Sequence, residues 1–234
     1  GAVLDCNECG STLRFFIPIV LALGVEATFV GSERLFARPL SVYEELCENE
    51  GFTFLLSSAS LFVSGKLKAK KYSVMGNLSS QFISGLMFAL PLLKEDSTID
   101  ITSALESGSY LGLTVKALAE FGVRISRTDE HTVYIKGSQT YKKRSLRVEG
   151  DYSNAAFFDA LNVLGGNVAV TGLSDTSVQG DRVYRDIFPL LSKGCPTVDI
   201  SDCPDLGPIL MAVAAANNGA VFTGTRRLKI KESD

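Results

Sequence analysis

Ser79-Ser80-Gln81-Phe82-Ile83-Ser84-Gly85-Leu86-Met87-Phe88-Ala89-Leu90-Pro91-Leu92-Leu93, followed by Thr98-Ile99-Asp100-Ile101 and Thr102, reads as a polar turn, an apolar helix and a short strand in succession. The same order recurs elsewhere in the chain, and recurrence of this kind decides a fold before any single element does. Gly10-Ser11-Thr12-Leu13-Arg14 leads into Phe15–Leu23, then Ala27-Thr28-Phe29-Val30 and Gly31. Tyr152-Ser153-Asn154 leads into Ala155–Leu164, then Val168-Ala169-Val170, Thr171 and Gly172. Pro204-Asp205 leads into Leu206–Asn217, then Ala220-Val221-Phe222, Thr223 and Gly224. The intervals agree: 20 positions from Ser11 to Gly31, 19 from Ser153 to Gly172 and 19 from Asp205 to Gly224.

Seven positions beyond the residue that ends each strand stands a polar one: Arg38, Ser109, Gln179 and Lys231. Helical apolar spacing follows in Leu40–Cys47, Leu113–Phe121 and Val183–Leu191. A β-rich pair comes next, Phe52–Leu56 with Leu61–Val63 and Val123–Ser126 with Thr132–Ile135, and the third unit has a shortened version in Cys195–Ile200. Each unit therefore reads as roughly βαβαββ. Helices apolar over most of their length, such as Phe82–Leu93, belong inside, with sheets around them. The charged stretch Tyr141-Lys142-Lys143-Arg144-Ser145-Leu146 marks a boundary near residue 147, giving domains 1–147 and 148–234. The first unit opens with one short strand, Ala2–Leu4, and the fourth stops at Lys231-Glu232-Ser233-Asp234, so the expectation is part of a longer protein.

Composition narrows the function. The 234 residues carry 23 basic and 26 acidic side chains, a formal charge of −3, which argues against a general nucleic-acid binder. The longest apolar runs, Phe15–Val25 and Ile83–Leu93, are each interrupted by Pro or Gly and fall short of the ~18–20 residues that cross a bilayer. Five scattered cysteines, Cys6, Cys9, Cys47, Cys195 and Cys203, do not make a disulfide framework and favour a reducing compartment. Cys6-Asn7-Glu8-Cys9 has CxxC spacing, but no second CxxC or His pair follows to complete the four ligands of a structural zinc site. His131 lies in a turn entering a strand, a surface position.

The polar turns carry the chemistry. Val74-Met75-Gly76-Asn77-Leu78-Ser79-Ser80-Gln81-Phe82 sets a glycine, an amide and hydroxyls before an apolar helix, which makes either an ordinary cap or an anion site. Gly10–Arg14 repeats the design with a cation one turn inside. Arg38-Pro39-Leu40 puts a guanidinium ahead of a proline at a helix start, with Pro in the first turn, where a cation opposes the dipole by ~0.3–1 kcal/mol. Gln179-Gly180-Asp181 and Lys231-Glu232 fill matching slots, and a lysine with a carboxylate is an acid–base pair. Asp205 after Pro204 reads as a routine N-cap. If the repeats point these helix starts together, they form a polyanion site for a phosphorylated small molecule, with no metal or cofactor.

Six ordered motifs, Gly10–Arg14, Arg38–Leu40, Gly76–Phe82, Val148-Glu149-Gly150-Asp151 with Ser153, Gln179–Asp181 and Lys231–Asp234, resemble the 5-enolpyruvylshikimate-3-phosphate synthase family. The resemblance implies an α/β fold of repeated βαβαββ units with inward helices, the inside-out α/β barrel of the enolpyruvyl transferases, here a partial two-domain fold. It implies transfer of the enolpyruvyl group of phosphoenolpyruvate to the 5-hydroxyl of shikimate 3-phosphate, without metal or cofactor. Ser79, Ser80, Gln81, Ser107, Tyr110, Asp205 and Lys231 would then hold shikimate 3-phosphate. Gly10, Arg38 and Gln81 would contact phosphoenolpyruvate. Asp205, Lys231 and Glu232 would be catalytic, and Arg14 would have a structural role.

The resemblance also implies a cytoplasmic enzyme, monomeric when complete, with no nucleic-acid or membrane partner. Several phosphoenolpyruvate ligands of the family lie outside the sequence, so the expectation for this chain alone is inactivity. Cys9 stands where the family usually has Ala or Ser, and Asn7 where part of it has Gly. Two alternatives remain: the sister transferase acting on UDP-N-acetylglucosamine, and a non-catalytic anion-binding remnant.

Overall fold

Strand pairing realises the repeat. In a computed structural model, residues 1–105, 108–129, 131–225 and 228 are described. The first module runs β1 (Ala2–Asn7), α1 (Gly10–Leu23), β2 (Ala27–Gly31), a short α2 (Glu33–Phe36), α3 (Ser41–Glu50), β3 (Thr53–Leu56) and β4 (Ser60–Ser64). The second runs β5 (Lys71–Val74), α4 (Ser80–Ala89) with a 3-10 turn at Leu90–Leu92, β6 (Ser97–Ile101), α5 (Gly108–Glu120), β7 (Ser126–Arg127) and β8 (Thr132–Ile135). The two sheets have the same order, β1-β2-β4-β3 and β5-β6-β8-β7. In each, the first pair is parallel and the others antiparallel, with Ala27 opposite Val63 in one sheet and Ile99 opposite Val133 in the other. A helix crosses between each parallel pair, as that pairing requires.

The chain forms two compact units, Gly1–Leu105 with Thr114–Arg144, and Glu106–Leu113 with Ser145–Asp234. In unit 1 the apolar helices are inside: Phe82, Ile83, Ser84, Gly85, Leu86, Met87 and Ala89 of α4 are all buried, and α4 packs on α1. That contact depends on three residues. Pro18 in α1 has no N–H to give the carbonyl of Arg14, four residues back. The buried Tyr43 hydroxyl from α3 donates to that carbonyl instead, at 2.7 Å. Gly85 of α4 makes room: a Cβ there would stand 2.4 Å from the Tyr43 oxygen and 2.5 Å from the Arg14 carbonyl oxygen.

Unit 2 contains α6 (Tyr152–Val163), a 3-10 turn at Gly180–Val183 running into α7 (Tyr184–Lys193), β9 (Thr197–Asp199), a 3-10 turn at Pro204–Leu206, α8 (Gly207–Ala216) and β10 (Val221–Thr223). Its core gathers Tyr152, Ala156, Tyr184, Leu191, Ile200, Leu206 and Leu210.

Two sequence expectations change here. Val168–Val170 is not a strand: Asn162 holds Val168 through both its amide groups, and ladder bonds to a neighbouring strand are missing among the described residues. Cys195–Ile200 is not the closing β-pair of the third unit. Its strand, β9, pairs parallel with β10 across α8, so it opens the fourth unit as β1 and β5 open the first two. Sequence periodicity could not choose between these because a short strand looks the same in either role; only the partner decides it.

Candidate functional site

In unit 1 the starts of α1 and α4 lie together. Gly10 is the first residue of α1 and is buried. A Cβ on it would lie 2.8 Å from Arg38 Nη1, 3.1 Å from Arg14 Nη1 and 3.8 Å from Gln81 Oε1, so these three side chains converge on its backbone. Arg14 Nη1 donates to Gln81 Oε1 at 2.8 Å and Arg14 Nη2 to the Pro39 carbonyl at 3.2 Å, while its guanidinium lies over the Phe82 ring. Arg14 thus fixes both Gln81 and the loop that carries Arg38.

Ser79 is the N-cap of α4: its hydroxyl accepts from the Gln81 N–H at 3.3 Å. Ser80 behind it is buried. Neither α1 nor α4 has an acidic residue in its first turn, so the positive ends of both dipoles and two arginines reinforce one another. Such a place can bind an anion with backbone N–H groups and guanidinium donors. Ahead of the α4 cap, the Asn77 N–H donates to Ser103 Oγ at 3.2 Å, and Gly76 packs against the Ser103 and Ala104 carbonyls.

Arg38 differs from its sequence reading. Helix α3 begins at Ser41 with Leu40 as N-cap, so Pro39 precedes the cap rather than occupying the first turn. Arg38 itself closes α2, its N–H donating to the Leu35 carbonyl at 3.3 Å. Arg38 therefore stands two positions ahead of the α3 cap, and the helix start that its guanidinium faces is that of α1.

Unit 2 holds a second cluster. The Tyr110 hydroxyl, on the first turn of α5, lies 2.7 Å from Asp205 Oδ2 and 3.1 Å from Asp181 Oδ2. Burial, and then the two carboxylates, push the phenol far above its ordinary range, so it stays a donor. Asp181 is buried at 4% exposure, whereas Asp205 is exposed. One phenolic O–H facing two carboxylates ties Asp181 and Asp205 to the start of α5. Asp205 lies inside the 3-10 turn before α8, whose N-cap is Leu206, so Asp205 is not the routine cap that Pro204-Asp205 suggests. The Ser109 N–H donates to Asp202 Oδ1 at 3.1 Å on the same segment.

The Gln179–Asp181 and Val148–Asp151 motifs divide their labour. Gln179 Oε1 accepts from the Tyr152 N–H at 2.8 Å, and its amide nitrogen donates to the Gly150 carbonyl at 2.9 Å. Asp151 caps α6 by accepting from the Ser153 N–H at 2.8 Å. Both motifs thus clamp the start of α6, and Asp181 is the one member that reaches the Tyr110 cluster. Sequence reading placed Asp181 in a motif without a role, because a tyrosine 71 residues away leaves no local signal. Ser107, Lys231 and Glu232 lie outside the described residues. Among the described residues no group of three or more His, Cys, Asp or Glu side chains is gathered for a metal ion, and no helix is long and apolar enough to cross a membrane.

Comparison with known proteins shows the lineage of the chain. The family model described as EPSP synthase (3-phosphoshikimate 1-carboxyvinyltransferase) matches residues 1–192. A 3-phosphoshikimate 1-carboxyvinyltransferase of Brachyspira hyodysenteriae is 41% identical over 251 aligned positions, covering 99% of this chain and 60% of the relative. Its counterpart in Clostridium kluyveri is 40% identical, covering 99% and 59%. The chain thus spans about 60% of the length of the curated relatives it matches. Among solved structures, EPSP synthase from Acinetobacter baumannii superposes with a TM-score of 0.71 at 17% identity, over 100% of this chain and 59% of that one. The enolpyruvyl transferase NikO from Streptomyces tendae follows at 0.59 and 13%, over 90% and 56%. These two likenesses show the shared fold, and the family model with the curated relatives shows the lineage: the chain belongs to the EPSP synthase family.

Proposed function

We propose that the whole protein, rather than the present chain alone, joins the enolpyruvyl group of phosphoenolpyruvate to the 5-hydroxyl of shikimate 3-phosphate and releases phosphate. The observation that carries this reading is the convergence of Arg38, Arg14 and Gln81 on Gly10 at the start of α1, beside the capped start of α4. Ser79, Ser80 and Gln81 serve the 3-phosphate and ring of shikimate 3-phosphate, with Ser107 and Tyr110 contributing. Gly10, Arg38 and Gln81 serve phosphoenolpyruvate. The 5-hydroxyl oxygen adds to C2 of phosphoenolpyruvate as Asp205 accepts its proton, and the methylene carbon takes a proton from the Lys231–Glu232 pair. Phosphate then leaves C2 and the methyl group gives a proton back, restoring the enol double bond. The Tyr110 hydroxyl supports this assignment by holding Asp205 as a hydrogen-bonded carboxylate. Domains 1–147 and 148–234, a cytoplasmic enzyme that is monomeric when complete, and the lack of a nucleic-acid partner belong to the same reading; a pI of about 5.4 supports the last of these.

Calorimetric titration of the chain with shikimate 3-phosphate tests it, with sulfate and UDP-N-acetylglucosamine as controls. Saturable binding at least tenfold tighter than sulfate, lost in Ser80→Ala, is expected. Equal affinity for sulfate and shikimate 3-phosphate would leave only an anion-binding remnant, and preference for the UDP-sugar would transfer the chain to the sister activity.

A further inference from the structure

The start of α1 holds two thiols as well as the anion cradle. Cys6 ends the run of β1 that enters the core, at 2% exposure, and Cys9 is the exposed N-cap residue of α1. The Cys9 N–H donates to the Cys6 carbonyl at 2.8 Å, which closes a four-residue turn. A turn of that kind brings its first and last Cα within ~7 Å, the outer limit that a disulfide spans, while the Cys6 thiol lies 3.9 Å from the Leu4 carbonyl oxygen. Asn7 inside it has φ of 49°, a left-handed conformation that asparagine tolerates, and its N–H is held by Asp5 Oδ1 at 2.9 Å. The turn is therefore built and pinned rather than a loose loop.

We propose that Cys9 is a covalent modification site for hydroperoxides, and that Cys6 is the resolving thiol which captures the oxidised product as a Cys6–Cys9 disulfide. The two environments differ in the sense this chemistry requires. Cys9 Sγ lies 3.2 Å from Ser11 Oγ, and hydroxyl hydrogen bonds from Ser11 and then Thr12 lower its thiol to about 7. Cys6 is pushed up to about 11, first by burial, then by the neighbouring Cys9 thiolate and Asp5. The turn carries Asp5 and Glu8 on its own segment, and Arg14 of α1 and Arg38 from the loop after α2 reach Gly10 directly after it.

The electrons balance in two steps. The Cys9 thiolate attacks one oxygen of the peroxide, the O–O bond breaks, hydroxide leaves, and the sulfur is oxidised to a sulfenic acid. Loss of the Cys9 negative charge removes one of the two charges that hold the Cys6 proton. Cys6 sulfur then attacks Cys9 sulfur, the S–OH bond breaks, and the hydroxyl leaves as water with the Cys6 proton. The product sits at the residue whose carbonyl accepts the first helical bond of α1, from the Leu13 N–H at 3.2 Å, directly before Gly10.

The test is peptide mapping by mass spectrometry of the native chain after a few equivalents of hydrogen peroxide, with Cys195, the other exposed cysteine, as internal control. A Cys6–Cys9 disulfide that forms while Cys195 stays reduced, and that dithiothreitol reverses, is the expected result. In Cys6→Ser, dimedone should label Cys9 at least tenfold more than in the parent. In Cys9→Ser, disulfide and rapid peroxide consumption should both be lost. Iodoacetamide alkylation of Cys9 needs no substitution at the buried position, and its pH profile should turn near pH 7. Oxidation of Cys9 no faster than Cys195, equal dimedone labelling with and without Cys6, or an alkylation profile turning near the ~8.5 of an ordinary thiol would each overturn the proposal.

Discussion

At the scale of single residues, the anion cradle depends on what is missing from Gly10. A methyl group there would meet the tips of Arg38 and Arg14, at 2.8 and 3.1 Å, both of them ends of flexible side chains. Gly10→Ala should therefore leave the melting temperature almost unchanged and displace the guanidinium groups instead. Affinity for phosphoenolpyruvate or phosphate at this site should fall roughly tenfold, equivalent to about 1.4 kcal/mol, measured by calorimetry. Unchanged affinity would place the anion elsewhere. Ser79 as a helix cap was readable from local sequence, because a cap and its N–H are two residues apart. The Arg14–Gln81 bond was not, since its partners are 67 positions apart and meet only because α1 packs on α4.

At the scale of elements, the α1–α4 contact rests on the exchange between Pro18, Tyr43 and Gly85. Tyr43→Phe removes the hydroxyl that satisfies the Arg14 carbonyl and should cost about 1–3 kcal/mol. Pro18→Ala restores an N–H four residues beyond Arg14, so the double variant should recover a large part of that loss. Urea denaturation of the four members of the cycle measures the coupling, and strictly additive losses would show that the proline and tyrosine act independently. Gly85→Ala has no such rescue, because the added carbon meets backbone oxygen and a buried hydroxyl, and overpacking of about 1–3 kcal/mol follows. Sequence periodicity identified both helices as apolar on most sides. It could not show that a proline in one faces a glycine in the other, because periodicity records which faces are buried and not their depth of approach.

At the scale of the whole molecule, buried thiols set an alkaline limit on stability. Burial raises Cys6 and Cys47 to about 11 and Cys203 to about 12. The unfolded chain gives up these protons near ~8.5 while the folded chain retains them. Between those values the folded state binds more protons, so the stabilisation is fully present below pH ~8.5 and is lost as pH rises towards 11 and 12. Buried Tyr43 and Tyr72 are shifted upward as well and act in the same direction. The melting temperature should fall steadily from pH 8.5 to 11. Cys47→Ala, which costs about 1 kcal/mol at neutral pH through lost packing, should fall less steeply. A parent and variant with parallel curves would exclude Cys47 from the effect.

The sequence by itself determined the repeat, the inward helices and the family. These rest on local periodicity, on caps formed within a few residues and on motif order, all of which are written along the chain. It placed Gly10, Ser79 and Gln81 at helix starts for the same reason. Tertiary structure decided which strand pairs with which, making β9 the opening of the fourth unit, and it gave Asp205 a tyrosine partner instead of a capping role. It also placed Arg38 at the end of α2, ahead of the α3 cap. Strand partners and long-range hydrogen bonds are properties of packing. A side chain's type says which bonds it can make, but only the folded chain brings a given partner within 3 Å.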